Sequence, residues 1–289
     1  MSRDTSFYYS FLVLPPLKRR AIVAVWDFCR AVDDAVDEIA PGPDERVLSP
    51  AAREKAAAEL SQWRDEIDAL YDDGREPRSR QARALRPFVR EFALPRGEFE
   101  SLVDGVEMDL GSVCYPTFDG LTGYCRRVAG TVGLICLDIF GYRDPVSRDY
   151  ALNLAIALQL TNIIRDVASD LVQGRIYLPT EDLVRFGVTE ADLREGQVTE
   201  KVRALLAFEC SRTREYYRRA SAILPAVDRR RLVAAEIMGG IYFGILQRIE
   251  RAGYDVFSSR IRVPRQRRLL IALRIWAASS LGIPTPLGN

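Results

Sequence analysis

The sequence predicts an all-α protein, one packed bundle of roughly ten helices. Three observations predict it. Apolar residues recur at helical spacing almost throughout the chain. No alternating strand pattern lasts more than a few residues. Pro and Gly punctuate short connections, with no repeat and no low-complexity linker. At 289 residues the chain lies within reach of a single large helical domain, so residues 1–289 read as one unit.

The elements follow in order. Pro15-Pro16 opens a helix over 17–39, and Pro41-Gly42-Pro43 closes it. A second helix over 50–71 stops before Asp72-Asp73-Gly74. Residues 80–92 and 95–110 read as shorter helices. Thr117 or Asp119 caps the helix that carries 124–140, which ends near Gly141. Pro145 starts a long helix over 146–172, stopped by Gly174 and Pro179. Short segments at 180–186 and 189–194 lead to long helices over 199–224 and 229–252, and 265–281 is the last. The stretches 42–49 and 111–118 are loops.

Composition narrows the chemistry. Apolar residues make up 48% and charged residues 28%, which suits a globular protein with a real core. The net charge of +1 gives no reason to expect a nucleic-acid partner. His is absent, which removes His general bases, Ser-His-Asp triads and His-ligated zinc or iron. The five cysteines form no C-x-x-C pair and read as reduced thiols, mostly buried, in a cytoplasmic protein. The start, Met1-Ser2-Arg3-Asp4, lacks the layout of a signal peptide, and no run reaches the length of a membrane span.

Two helical faces carry paired carboxylates. Asp33 and Asp37 stand four residues apart and project from one face, with Arg30 one turn earlier. Asp166 and Asp170 repeat the spacing, with Asn162 four residues before Asp166 and Gln159 three before Asn162. This second polar stripe interrupts an apolar helix that includes Leu154, Leu158, Ile163 and Ile164. Like charges at this spacing repel, and a divalent cation between them reverses the sign. The same spacing at Asp68 and Asp72 sits at a polar helix end and reads as solvated surface. All-oxygen ligands select a hard cation, Mg²⁺ first. Arg30, Arg165, Arg175 and Lys18 are candidates to contact phosphate. Such a site suits a diphosphate held between two facing helices and made into a leaving group.

Asp33-Asp34-Ala35-Val36-Asp37 and the stretch 162–170 resemble the two aspartate-rich motifs of the squalene/phytoene synthase family. Ser6-Phe7-Tyr8-Tyr9-Ser10-Phe11 is similar to its N-terminal Ser-Phe motif. Tyr124-Cys125-Arg126-Arg127-Val128-Ala129-Gly130-Thr131-Val132-Gly133 is similar to its Tyr-Cys helix, and Gly174-Arg175-Ile176-Tyr177-Leu178-Pro179 follows the second motif as in the family. The resemblance implies the all-α isoprenoid synthase fold, with both motifs facing a central cavity. It implies that Asp33, Asp37, Asp166 and Asp170 hold two or three Mg²⁺ ions with the substrate diphosphate, Asn162 assisting. Arg30, Gln159, Asn162 and Arg165 would bind diphosphate or metal-bound water, and Arg260 might reach it from the C-terminal region. Tyr124 would sit near the reacting carbons. Ser6, Phe7, Phe11 and Tyr242 would contact the substrate or line the cavity.

Within the family, Phe7-Tyr8-Tyr9-Ser10-Phe11, residues 14–22, 104–110 and 115–118 are most similar to the bacterial enzymes that make presqualene diphosphate for squalene and hopanoid biosynthesis. That similarity implies Mg²⁺-dependent ionisation of one farnesyl diphosphate, attack by a second, and closure of a cyclopropane, with no NADPH required. The alternatives are reduction of the intermediate to squalene with NADPH, or condensation of geranylgeranyl diphosphate to phytoene. Trp26 and Asp27 depart from the family pattern, where Tyr and a small residue are usual. A di-iron bundle needs Glu-x-x-His sets, which a chain without His cannot supply. A lipid-associated scaffold without catalysis would leave the four aspartates dispensable.

Two features stay open on sequence. Gly130-Thr131-Val132-Gly133 inside a helix reads as close packing, as room for a chain, or as a local kink. Beyond Asp255 lie six arginines and no acid, followed by an apolar run. This segment reads either as a terminal helix packed on the bundle or as a peripheral attachment to anionic lipid at the inner face of a membrane.

Overall fold

In the computed structural model, residues 8–37, 49–111, 113–285 and 287 are described, with the side chains of Tyr8 and Tyr9 excepted. Helix α1 (Tyr8–Phe11) precedes α2 (Pro16–Asp37), whose first turn begins at Pro16, a residue suited to a position where the backbone donor has no helical partner. Ala21, Val25, Phe28, Val32 and Val36 recur along α2 at three- and four-residue intervals, and all are buried. Serine and threonine caps set the starts of α3 (Pro50–Tyr71, capped by Ser49), α4 (Arg80–Glu91, Ser79), α6 (Phe118–Cys125, Thr117), α10 (Glu190–Arg194, Thr189) and α11 (Glu200–Ile223, Thr199). The remaining helices are α5 (Arg96–Glu107), α7 (Thr131–Phe140), α8 (Ser147–Val172), α9 (Thr180–Phe186), α12 (Val233–Arg251) and α13 (Arg265–Ser280). No strand occurs among the described residues, and none of their helices is long and apolar enough to cross a membrane.

Helix α8 is the axis of the bundle. It packs against α7, α11 and α12, and its buried face runs from Tyr150 through Leu154, Ala157, Leu160 and Ile164 to Leu171. Its start is held by one carboxylate. Asp228, fully buried, accepts from the backbone N–H groups of Arg143 (2.8 Å) and Asp144 (2.9 Å) and from Ser147 Oγ (2.9 Å). These donors and Arg231 hold Asp228 below the usual carboxylate range despite its burial. Helix α12 accordingly begins at Val233 rather than 229, because residues 229–232 turn back on the Asp228 carbonyl.

The sequence reads 124–140 as one helix, and the structure interrupts it. Residues Arg126–Gly130 form a π-helical turn between α6 and α7. The Thr131 N–H reaches the carbonyl of Arg126, five residues back, and Thr131 Oγ1 donates to the displaced carbonyl of Arg127 at 2.5 Å. The turn lies against α5 and α8. Small residues permit these approaches: a Cβ on Gly133 would stand 3.1 Å from Ala155 Cβ. Close packing and a local kink therefore coincide. Residues 108–110, expected to end a helix, tighten into a 3-10 turn.

Gly105 on α5 faces the π-turn. A Cβ there would lie 2.7 Å from Arg127 Cβ and 3.2 Å from the Arg127 carbonyl carbon, so backbone must move. Gly105→Ala is expected to cost about 1–3 kcal/mol as overpacking. Gly97→Ala on the same helix meets nothing within 4 Å and is expected to be neutral or stabilising. Thermal melts of the two variants check the contrast.

Candidate active site

The facing helices α2, α7, α8 and α12 enclose a cavity of about 370 Å³. Its wall is apolar, with Val25, Trp26, Val132, Leu154, Leu158 and Met238 among the lining residues. Its deep end is formed by Ile22, Phe140, Tyr150 and Leu232, all buried, and Phe11 from α1 also lines it. The opposite end is polar, where Arg30, Asp33, Asp34, Asp37, Gln159, Asn162, Arg165 and Tyr242 meet. From there an open cleft continues over Asp109, Tyr124, Asp166, Asp170, Arg175, Tyr177 and Arg260.

The two aspartate pairs are therefore brought to one mouth by α2 and α8. Asp166 is gripped by two arginines: Arg165 chelates it, with Nε at 2.9 Å from Oδ1, and Arg260 follows with Nε at 3.1 Å and Nη2 at 3.2 Å. Burial pushes the Asp166 carboxyl up, but these guanidiniums prevail and hold it below its ordinary range. Across the cleft Arg175 Nη1 donates to Asp37 at 2.7 Å. Asp33 and Asp170 lack such a grip. Burial, then the charges of Asp37, Asp109 and Asp34, push Asp33 up to about 8, with Arg30 opposing. Burial and Asp166 push Asp170 to about 7, with Arg175 opposing.

Each expected residue can now be placed. Gln159 accepts from Asn162 Nδ2 at 3.5 Å, and Tyr242 is hydrogen-bonded with Arg165 and Asn162. Asn162 Oδ1 is buried with no hydrogen-bond partner among the described residues. Arg30 is exposed at the rim and pairs with Asp34 at 3.7 Å. Tyr124 faces the polar cleft, where its hydroxyl donates to Asp109 Oδ2 at 2.9 Å. Ser6 and Phe7 lie outside the described residues. Lys18 is not at the site: it lies near the start of α2 and donates to the Phe140 carbonyl at 2.5 Å, at the deep end of the bundle.

Asp109 and Tyr177 received no role from sequence. Tyr177 Oη donates to Asp109 Oδ1 at 3.0 Å, so two tyrosine hydroxyls share one carboxylate. Burial pushes Asp109 up to about 6, while Arg175 and both tyrosines oppose the shift. Tyr115, Tyr124 and Tyr177 pack as an aromatic cluster around it, with Tyr124 and Tyr177 stacked at 5.3 Å between centroids. Asp109 has Gly105 and Val113 four residues to either side, so no carboxylate spacing marks it.

Among the described residues, no three acidic or cysteine side chains converge closely enough to cage an ion by themselves. The donor set nevertheless fits a hard divalent cation. It is all oxygen, Asn162 Oδ1 is unpartnered, and the carboxyls of Asp33 and Asp170 are raised by one another's neighbours. Mg²⁺ sites of this kind use few carboxylates and leave other positions to water and phosphate.

An apolar helical cavity with aspartate-bearing helices at its mouth defines the isoprenoid synthase fold. The chain belongs to the squalene/phytoene synthase family, prenyltransferase-type enzymes whose sequence model matches residues 1–267. It is 36% identical to the phytoene synthase of Arthrospira platensis, over 92% of this chain and 86% of that protein. It is 34% identical to the presqualene diphosphate synthase of Rhodopseudomonas palustris, over 93% of this chain and 92% of that one. Among solved structures it superposes on a ligand complex of a dehydrosqualene synthase with a TM-score of 0.83 and 28% identity, covering 96% of this chain and 93% of that one. The squalene synthase HpnC of Alicyclobacillus acidocaldarius superposes with a TM-score of 0.72 and 30% identity, over 86% and 89% of the two chains.

Behind the deep end, Glu236 of α12 is buried. Its Oε1 accepts from Thr285 Oγ1 at 3.0 Å, and its Oε2 has no partner among the described residues. Burial pushes this carboxyl from 4.5 to about 7, opposed by Thr285 and Arg229. A raised folded-state value means that the folded chain binds the proton more tightly than the unfolded chain. The stabilising contribution is complete below 4.5 and is lost as pH rises towards 7. Glu236→Gln removes this dependence, so the melting-temperature difference between wild type and variant is expected to move against wild type across that window. Melts at several pH values check it.

Proposed function

We propose that this chain joins two farnesyl diphosphates head to head, releasing diphosphate and forming presqualene diphosphate. The observation that carries the choice of substrate is the depth of the cavity. From Asp33 at the mouth to Ile22 at the deep end is eleven residues of α2, or about 16 Å of helix. An extended chain advances about 1.2 Å per bond. Three isoprene units of four bonds each then need about 14 Å, and four units about 19 Å. The depth supports the C15 chain. A second reading, phytoene formation from geranylgeranyl diphosphate, is favoured by the 36% identity to phytoene synthases. A third, reduction to squalene with NADPH, draws on the likeness to HpnC.

In this reading Asp33, Asp37, Asn162, Asp166 and Asp170 hold Mg²⁺, which supplies the positive charge that makes diphosphate a good leaving group. Arg165 and Arg260, paired with Asp166 in this structure, turn their guanidinium forks onto diphosphate oxygens, and Arg30 and Arg175 close the rim. Gln159 and Asn162 hydrogen-bond at the same edge, and Tyr242 fixes Arg165 and Asn162 in place. The C–O bond of one substrate breaks, and its C1 is attacked by the C2–C3 double bond of the second. Loss of one proton closes the three-membered ring. The apolar wall excludes water that would otherwise capture the cation, and the faces of Phe11 and Tyr242 stabilise positive charge beside them.

One incubation with farnesyl diphosphate and Mg²⁺, with and without NADPH, separates the readings by mass spectrometry. A C30 cyclopropyl diphosphate in both tubes is expected, and none after chelation of the metal. Squalene only with NADPH would move the activity to a reducing enzyme. Turnover of geranylgeranyl diphosphate alone would move it to phytoene.

Asp166→Ala is expected to abolish product while far-UV circular dichroism stays native. Activity near wild type in that variant would overturn the metal-site assignment.

A further inference from the structure

The C-terminal helix is packed and exposed at once. Arg268, Ala272, Ile275 and Ser279 lie on the buried face of α13, with Ala272 and Ile275 against Ile237 and Ile241 of α12. Gly240 lets the two helices meet: a Cβ there would stand 2.5 Å from Ile275 Cδ1. The outer face carries Leu269, Leu270, Leu273 and Trp276, again at three- and four-residue intervals. Leu270 is 65% exposed and Trp276 51%. Leu281 and Ile283 continue this ridge beyond the helix, also exposed. A ridge of this kind on a terminal helix asks for an apolar phase.

The flank of the ridge is basic. Arg267 and Arg274, seven residues apart, border Leu270 on one side of α13, and both are exposed. Arg267 also lines a shallow concavity with Arg248, Arg251, Arg260 and Arg262. Asp255 alone opposes them there, and it is engaged by the N–H groups of Phe257 and Ser258. No acid follows Asp255 in the sequence.

We propose that this face docks on an anionic lipid bilayer, with the α13 ridge inserted at the headgroup boundary and the arginine concavity on the headgroups. The charge chooses the occupant. A second copy of the chain across a twofold axis would bring the same arginines against one another. A nucleic acid would offer no place for Leu270 and Trp276. An anionic bilayer meets both needs, with acyl boundary for the ridge and negative charge for its flank. The inference stands apart from the chemistry proposed for the cavity, and its test contains no diphosphate.

The full chain is to be floated with phosphatidylcholine vesicles, with and without phosphatidylglycerol, and Trp276 emission followed against a Trp276→Phe background. Binding to the anionic vesicles with a blue shift lost in that variant is expected. Arg267→Gln and Arg274→Gln should each lower the partition coefficient about fivefold. Leu270→Gln should lower it at least about tenfold. These positions are exposed, so circular dichroism should stay native in all variants. Equal binding to neutral vesicles, absence of binding, or partitioning unchanged in the variants would overturn the proposal. So would self-association that Leu270→Gln abolishes in the absence of any vesicle binding.

Discussion

Mutual repulsion among carboxylates at the cavity mouth is the constraint on which the rest of the structure depends. Asp33, Asp37, Asp109, Asp166 and Asp170 meet there, mostly shielded from water. Left to themselves they would push α2 and α8 apart. Arg165 and Arg260 answer at Asp166, Arg175 answers at Asp37, and Tyr124 with Tyr177 answers at Asp109. What these groups do not neutralise must be resisted by packing elsewhere. The small-residue contacts of α7 with α8 and the Asp228 clamp at the start of α8 lie on the far side of the helices from the acids.

This division of labour explains the contrast between the two ends of the cavity. The deep end is held by side chains that need no partner, such as Ile22, Phe140 and Leu232. The mouth is held by charges that balance only in sets. Removing one guanidinium there shifts the protonation of several carboxyls, because Asp33, Asp109 and Asp170 each feel the charges of neighbours on other elements.

Much of this was legible in the sequence, for physical reasons. The bounds of α3 and α9 follow from caps and from Gly and Pro, which act within a few residues. The carboxylate pairs were legible because helical spacing places Asp33 with Asp37 and Asp166 with Asp170 on single faces. Asp109 was not, because its partners Tyr124 and Tyr177 arrive from other parts of the chain. Lys18 misled for the converse reason: its charge suits phosphate, but fifteen residues of α2 separate it from Asp33. The π-turn was hidden because each of its residues is compatible with an ordinary helix. Only the contact with Gly105 and the Thr131 hydroxyl distinguish it.

That turn also sets how the chain tolerates change in length. It holds one residue more than an α-helix would use over the same rise. Deleting a single residue from 126–130 would leave a regular helix and no visible gap. It would also rotate every side chain of α7 by about 100° relative to Tyr124. Val132 and Gly133 would leave the cavity wall while Tyr124 stayed on Asp109. The shortest possible deletion in this segment is thus a change of frame for one wall of the cavity.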